Sequence, residues 1–238
     1  MRSRVRNLKE IFQDPERRAQ FAREKFRAIA RRYDLLIRLL SLGLDGRWRA
    51  LVRAKASSGR EGRILDVATG TGRLARPLPG KVVGIDFCLE MLLVAKDKGG
   101  PYLSLQRAEE LAFKDNIFDA CTMGVALRHM GDVRRAIREM VRVTRPGGRV
   151  VIADYSLPRG HLLKFYFFHL MPLLGLILTF NKEIYLLLKY LPHSVASFYP
   201  PQAIARMMEE AGLYDVEVLP LGQGIVSIWA GVKNSPLH

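Results

Sequence analysis

Asp66-Val67-Ala68-Thr69-Gly70-Thr71-Gly72 closes a short apolar run, Ile64 to Val67, and precedes Leu74 and Ala75, where a helix is expected to open. Strand, tight glycine loop and helix form the entry to a nucleotide-type site in an open α/β sheet. Glycine lets the backbone turn sharply and lets a ligand approach where a Cβ would collide. Free N–H groups at a helix start attract a carboxylate or phosphate. The spacing is neither the Gly-x-Gly-x-x-Gly of a dinucleotide fold nor a P-loop, which needs Gly-Lys-Ser/Thr after the loop. A second apolar run, Lys81 to Ile85, ends in Asp86. An acid at that strand tip is placed to accept both ribose hydroxyls of a bound nucleoside. A turn without a ligand and a solvated loop charge are the plain alternatives, and the two features together favour the ribose.

Other residues with usable chemistry follow. Phe87 stands beside Asp86, and Met91 on the next helix can touch a base, although a methionine at helical spacing also serves as core. After the third strand, Arg107-Ala108-Glu109 offers a backbone N–H and a polar side chain to a base edge. Gly124 at the tip of the fourth strand lets a ligand lie against the backbone. His129 titrates near neutral pH and qualifies as a general base. A hydrogen-bonded structural histidine is its plain alternative. His169, inside an apolar stretch, and Asp154 with Tyr155, at the end of the fifth strand, are further candidates.

The elements that must position them alternate. Strands are expected at 64–67, 81–86, 102–105, 120–124 and 149–155, with helices between them, and an antiparallel closing pair at 216–219 and 225–232. Alternating strands and helices imply a mostly parallel sheet covered on both faces. Ligands then sit beyond the carboxyl ends of the strands, where the polar residues from Asp86 to Arg128 fall. Residues 1–40 look helical and basic, with Phe21, Phe26, Ile29 and Tyr33 at helical spacing. They are expected to form a lid over the cofactor, an amphipathic membrane-surface helix, or a helix packed on the domain with a solvated basic face. Leu162 to Phe180 is nearly long enough to cross a bilayer. Lys164, His169 and Pro172 within it, and its place between the fifth strand and the closing strands, favour a helical cap instead.

The chain has 238 residues, 49% apolar, which suffices for one α/β domain with additions and a full core. Cys88 and Cys121 make no metal spacing and no disulfide framework, so no metal is expected and a reducing, cytoplasmic setting is. The start of the sequence is charged and shows no apolar signal core. A net charge of +15 favours nucleic acid or anionic lipid, or decorates a stable surface.

Asp66-x-Ala68-x-Gly70-x-Gly72 resembles motif I of the class I S-adenosylmethionine (SAM) methyltransferases, with Ala68 in place of the usual first glycine. Over nearly its whole length the chain resembles the ubiquinone/menaquinone biosynthesis C-methyltransferases. The matching pieces include Tyr33-Asp34-Leu35-Leu36, Ser41-Leu42-Gly43 with Trp48-Arg49, Leu127-Arg128, Arg145-Pro146-Gly147-Gly148, and Phe168-His169 with Pro172. The resemblance implies a Rossmann-like α/β fold with a mostly parallel seven-stranded sheet, helices on both faces and an antiparallel last strand. It implies a helical lid over residues 1–55, a SAM-binding domain over 56–238 and a substrate cap over 160–200. SAM is the expected cofactor, with S-adenosylhomocysteine as product, and Thr71, Asp86, Arg107, Ala108 and Gly124 match positions that bind it. Tyr33, Asp66, Ala68, Gly70, Gly72, Phe87, Met91 and Glu109 complete the expected cofactor set. Arg128 is expected to hold a substrate phenolate or a water, the alternative being an ion pair to an acid such as Asp132. Departures occur at Arg107, His129 and Ile37, where the family usually has asparagine, at Gly124, where serine is usual, and at Asp154, where glutamate is common. The expected acceptor is a lipophilic hydroquinone met at an anionic membrane face. Methylation of RNA, of another small phenol, sterol or amine, and a non-catalytic SAM-binding role are alternatives. No appended RNA-binding module or stacking set argues for nucleic acid. The sequence leaves the oligomeric state open, a dimer included.

Overall fold

The computed structural model describes residues 14–41, 43–57, 62–179 and 182–235. The first part of the expected N-terminal helix and much of the linker after Ala56 lie outside the described residues. The helices and strands are α1 Pro15–Ile29, α2 Tyr33–Leu40, α3 Leu44–Ala56, β1 Arg63–Val67, β2 Lys81–Asp86, α4 Leu89–Asp97, β3 Tyr102–Leu105, β4 Phe118–Gly124, α5 Val133–Val143 and β5 Thr144–Tyr155. After β5 come α6 His161–Phe165, a π-helical turn Tyr166–Leu170, α7 Met171–Thr179, α8 Lys182–Ala196, α9 Pro201–Glu210, β6 Leu213–Leu221 and β7 Val226–Lys233.

The strands form one seven-stranded sheet in the order β3-β2-β1-β4-β5-β7-β6. Only β7 runs against its neighbours, pairing antiparallel with both β5 and β6. Because side chains alternate across a strand, β5 sends Val151 and Ala153 to one face and Val150 and Ile152 to the other. The first face joins a core with Trp48, Val52 and the cap residues Phe167, Met171, Ile184 and Leu188. The second joins a core with Ile137 and Met140 of α5 and Ile204 and Met208 of α9. Asp132 starts α5 by accepting the Arg135 N–H at 2.9 Å, which satisfies one of the orphan donors of the first turn. The N-terminal helices share the first core through Ile29, Trp48 and Val52.

Two local expectations change. No regular helix follows Gly72. Residues 73–80 form successive turns, because Pro77 and Pro79 disfavour helix in the residues before them and Gly80 takes φ 81°. Strand β5 begins at Thr144 rather than Arg149. Pro146-Gly147-Gly148 is absorbed as an irregularity in its pairing with β4, with Gly147 at φ 72°. The apolar stretch after β5 is a helix broken by the π turn, and among the described residues no helix is long and apolar enough to cross a membrane.

Candidate active site

The sheet order reverses at β1 and β4, so a crevice opens at their carboxyl ends. The loop leaving β1 turns through three left-handed residues, Ala68, Gly70 and Gly72, with φ of 54°, 56° and 75°. At Ala68 that conformation costs about 1 kcal/mol, which a glycine would avoid. Asp66 fastens this loop from behind. Its carboxylate accepts the hydroxyls of Thr69 and Thr122, both at 2.7 Å. It is buried and lines no described cavity, so it acts on a ligand through the loop. Thr71 Oγ1 donates to Asp34 of α2 at 2.6 Å, tying the loop to the N-terminal helices.

Asp86 stands at the centre of the crevice. Its Oδ2 accepts the Gly70 N–H at 2.8 Å and its Oδ1 the Cys88 N–H at 2.9 Å. Each carboxylate oxygen keeps acceptor capacity for a further donor. Burial pushes the carboxyl up to about 6, the two backbone N–H groups opposing the shift. Two adjoining cavities meet at Asp86, and Ala68, Phe87 and His129 line both. One runs to Gln106, Arg107, Ala108 and Glu109, the other to Thr69, Gly70, Thr71 and Gly124 past Met91. Phe26 of α1 and Tyr33 at the start of α2 close the outer wall. Val125, at the Gly124 end, is held at φ 59°, a strained conformation for a β-branched residue of the kind that collects at functional sites.

Several candidates have other employment. The buried Arg128 ion-pairs with the buried Asp154, and Asp154 Oδ2 also accepts the Arg128 N–H at 3.0 Å. The acid beside Arg128 is thus Asp154, not Asp132, which caps α5. The pair clamps the loop after β4 onto β5, and its guanidinium lies 5.2 Å from the centroid of the Tyr155 ring. His129 is sandwiched between Phe26, edge-on at 5.3 Å, and Tyr190 of α8, stacked at 5.9 Å. It lines the cofactor crevice rather than a second, apolar cavity beyond it. His169 is exposed, its ring 5.4 Å from that of Phe165, because Phe167 takes the inward direction on this helix. The side-chain space that Gly124 forgoes belongs to Trp48, whose Cη2 would be 2.9 Å from an added Cβ. A side chain there would meet the indole, while the glycine itself still lines the crevice.

That indole borders the second cavity, whose lining includes Leu44, Asp45, Trp48, Tyr155, Phe167 and Met171. It encloses about 30 Å³, close to one water's share of the liquid. Asp45 is its one acid, only 3% exposed and held by Arg49 Nε at 3.0 Å and Arg73 Nη2 at 2.6 Å. Asp45 Oδ2 nevertheless accepts no hydrogen bond of regular geometry, and Trp48 Nε1 donates none. Beside the ion-paired Asp45, one donor on a residue lining this apolar cavity, Trp48 Nε1, is thus left over, which buried polar groups rarely are. Burial raises both Tyr33 and Tyr155, so at neutral pH they are hydrogen-bond donors rather than bases. Sequence patterning missed Asp45 and Arg73, and the only signal near them was the Trp48-Arg49 pair.

A Rossmann-like sheet with a glycine loop after β1, an acid at the tip of β2 and an antiparallel β7 places a nucleoside-type site at the carboxyl ends of the strands. Solved structures share this fold. A SAM-dependent methyltransferase from Thermotoga maritima superposes with a TM-score of 0.62 at 22% identity, covering 89% of this chain and 99% of its own. A Haemonchus contortus phosphoethanolamine N-methyltransferase 2, bound to S-adenosylhomocysteine, gives 0.58 at 17% identity, covering 79% of this chain and 53% of its own. The chain belongs to the ubiE/COQ5 methyltransferase family, whose model matches residues 15–233. Among curated relatives, the demethylmenaquinone methyltransferase of Deinococcus radiodurans is 37% identical over 93% of this chain and 96% of its own. That of Thermus thermophilus is 40% identical over 87% and 98%, and the ubiquinone/menaquinone biosynthesis C-methyltransferase of Geobacter sulfurreducens is 38% identical over 89% and 88%. The protein is therefore an S-adenosylmethionine-dependent enzyme.

The raised carboxyl of Asp86 gives a pH dependence with two opposite signs. An unfolded aspartate titrates near 3.9, so between about 4 and 6 the folded chain binds the extra proton more readily. Acidification across that window stabilises the ligand-free fold. A ribose held by this acid would need the ionised acceptor, so SAM affinity is expected to fall by up to roughly tenfold per pH unit below about 6. Asp86→Asn is expected to weaken binding at neutral pH and flatten this profile. Calorimetry at several pH values checks it, and a wild-type slope in the variant would transfer the titration to Asp66, also pushed up to about 6 by burial.

Proposed function

We propose that the chain transfers the methyl group of SAM to a ring carbon of a lipophilic, prenylated hydroquinone of the demethylmenaquinol type. The observation that carries this is the apolar cavity behind Trp48, lined by one buried acid, Asp45, and by Trp48, whose Nε1 donates no hydrogen bond. A hydroquinone has two oxygens on an otherwise apolar ring, one to donate and one to accept. The relatives' names point the same way, and SAM supplies an electrophilic methyl on a sulfonium.

The chain's own residues do the remaining work. Asp45, ion-paired with Arg49 and Arg73, accepts a phenol hydroxyl and takes its proton as the ring carbon becomes nucleophilic. Arg49, whose guanidinium carbon lies 4.3 Å from the centroid of the Trp48 ring, lines the crevice and stabilises the charge that develops on the phenolate. Arg128 adds to that field from behind Tyr155. Cysteine nucleophiles have no part, since burial pushes the Cys88 and Cys121 thiols up to about 11 and 12. A cavity of this size admits a ring only when α7 and α8 part from the sheet. Acceptors of this kind reside in a bilayer, which puts the enzyme at a membrane surface.

The test supplies methyl-labelled SAM with reduced lipid extract and, separately, with total RNA. Label in a quinone fraction is expected. Label in RNA would overturn the assignment and make the +15 charge the better guide.

A further inference from the structure

The helix that covers the acceptor cavity is apolar on its outer side as well. Its inner side places Phe167 and Met171 against the cavity. Its outer side presents Leu162, Phe165, Leu170, Leu173 and Ile177, between 39% and 83% exposed. Their spacing of three, five, three and four residues, with the π turn taking up the longer step, keeps them on one stripe. Scattered exposed leucines need no explanation, but a continuous stripe along a helix does. Helix α2, packed against α7, adds the exposed Leu35 and Arg38 nearby.

Charge identifies what covers this face. No acid occurs between Asp154 and Glu183, while Arg159, Lys164 and Lys182 do. Lys164 is exposed on the same helix, a quarter turn or more to the side of the stripe. A second copy of a chain with net charge +15 would be repelled, whereas phosphate headgroups would be attracted.

We infer that the stripe from Leu162 to Ile177 docks on an anionic lipid bilayer, with the helix lying in the interface plane. Its significance for catalysis rests on the hydroquinone assignment: the element that must part from the sheet to admit the ring is the one seated in the lipid that holds the ring. Docking and opening then involve the same helix, and the acceptor moves from acyl chains to cavity without crossing water.

The experiment measures co-sedimentation of the full chain with vesicles of phosphatidylglycerol and phosphatidylcholine, and of phosphatidylcholine alone. Binding is expected to the first, to weaken with added salt, and to fall roughly tenfold or more per substitution in Leu162→Glu and Leu173→Glu, singly and together. Both residues are exposed and line no cavity, so turnover of a short-chain, water-soluble demethyl hydroquinone is expected to stay at the wild-type level. Wild-type affinity for vesicles in the double variant would overturn the inference. So would a dimer, seen by sedimentation velocity, that the double variant dissolves while vesicles bind neither protein. Failure to methylate the soluble hydroquinone would instead sink the functional assignment and leave the vesicle result standing on its own.

Discussion

Asp45→Asn is expected to lower methyl transfer on the order of a hundredfold while leaving SAM affinity nearly unchanged. The amide keeps the size of the side chain, and its single oxygen can still accept from one of the two arginines. It cannot take a phenol proton. The loss therefore belongs to kcat and kcat/KM together, the signature of an interaction made in the transition state. Asp45 lies on the acceptor side of Trp48 and outside the SAM crevice, which is why calorimetric SAM binding serves as the internal control. A variant with wild-type kcat would remove Asp45 from the chemistry. A variant that lost SAM binding equally would make it a support of the glycine loop through Arg73.

The second large effect is on stability. Asp154→Ala is expected to cost about 3–5 kcal/mol, because it leaves the Arg128 guanidinium buried without its counter-charge. It also strips the acceptor from two backbone N–H groups, those of Arg128 and Tyr155. In a domain of this size that corresponds to a fall in Tm of roughly 6–20 °C. Replacing both partners by apolar residues of similar volume is expected to recover much of the loss, since two desolvated charges disappear together. Thermal unfolding of the single and double variants decides it. A single variant as stable as the parent would mean that water reaches the pair. The same argument qualifies any activity loss in an Arg128→Ala protein, which must be read beside its unfolding curve.

Much of this site was legible because it is written locally. The glycine loop, Asp86 and the Arg107–Glu109 segment sit at strand tips, with Met91 on the helix after one of them, and continuous apolar runs fix those tips within a residue or two. Most of the expected cofactor set lines the two cavities that meet at Asp86, while Asp66 and Gly72 line neither. The helix expected after Gly72 is absent because Pro77 and Pro79, ordinary loop residues by composition, veto it. Asp45, Arg49 and Arg73 went largely unseen for a different reason. They come from two elements that fold against each other, and no spacing within either one marks the meeting. His169 lies on the exposed side because direction on a helix depends on register, which no residue type announces.

That turn has a consequence for how chain length is written here. Between Tyr166 and Leu170 the helix carries one residue more than a regular spiral of that height would hold. Removing one residue there would restore the regular spiral, four residues of which turn through nearly the same angle as the five of the π turn. Met171 and Gly175, which face the core against α8, would keep their direction, and Leu173 and Ile177 would stay outside. A residue lost from the regular part of the helix would instead rotate everything beyond it by about 100° and exchange inside for outside. To an alignment the two gaps look alike, and to the molecule only one of them is silent.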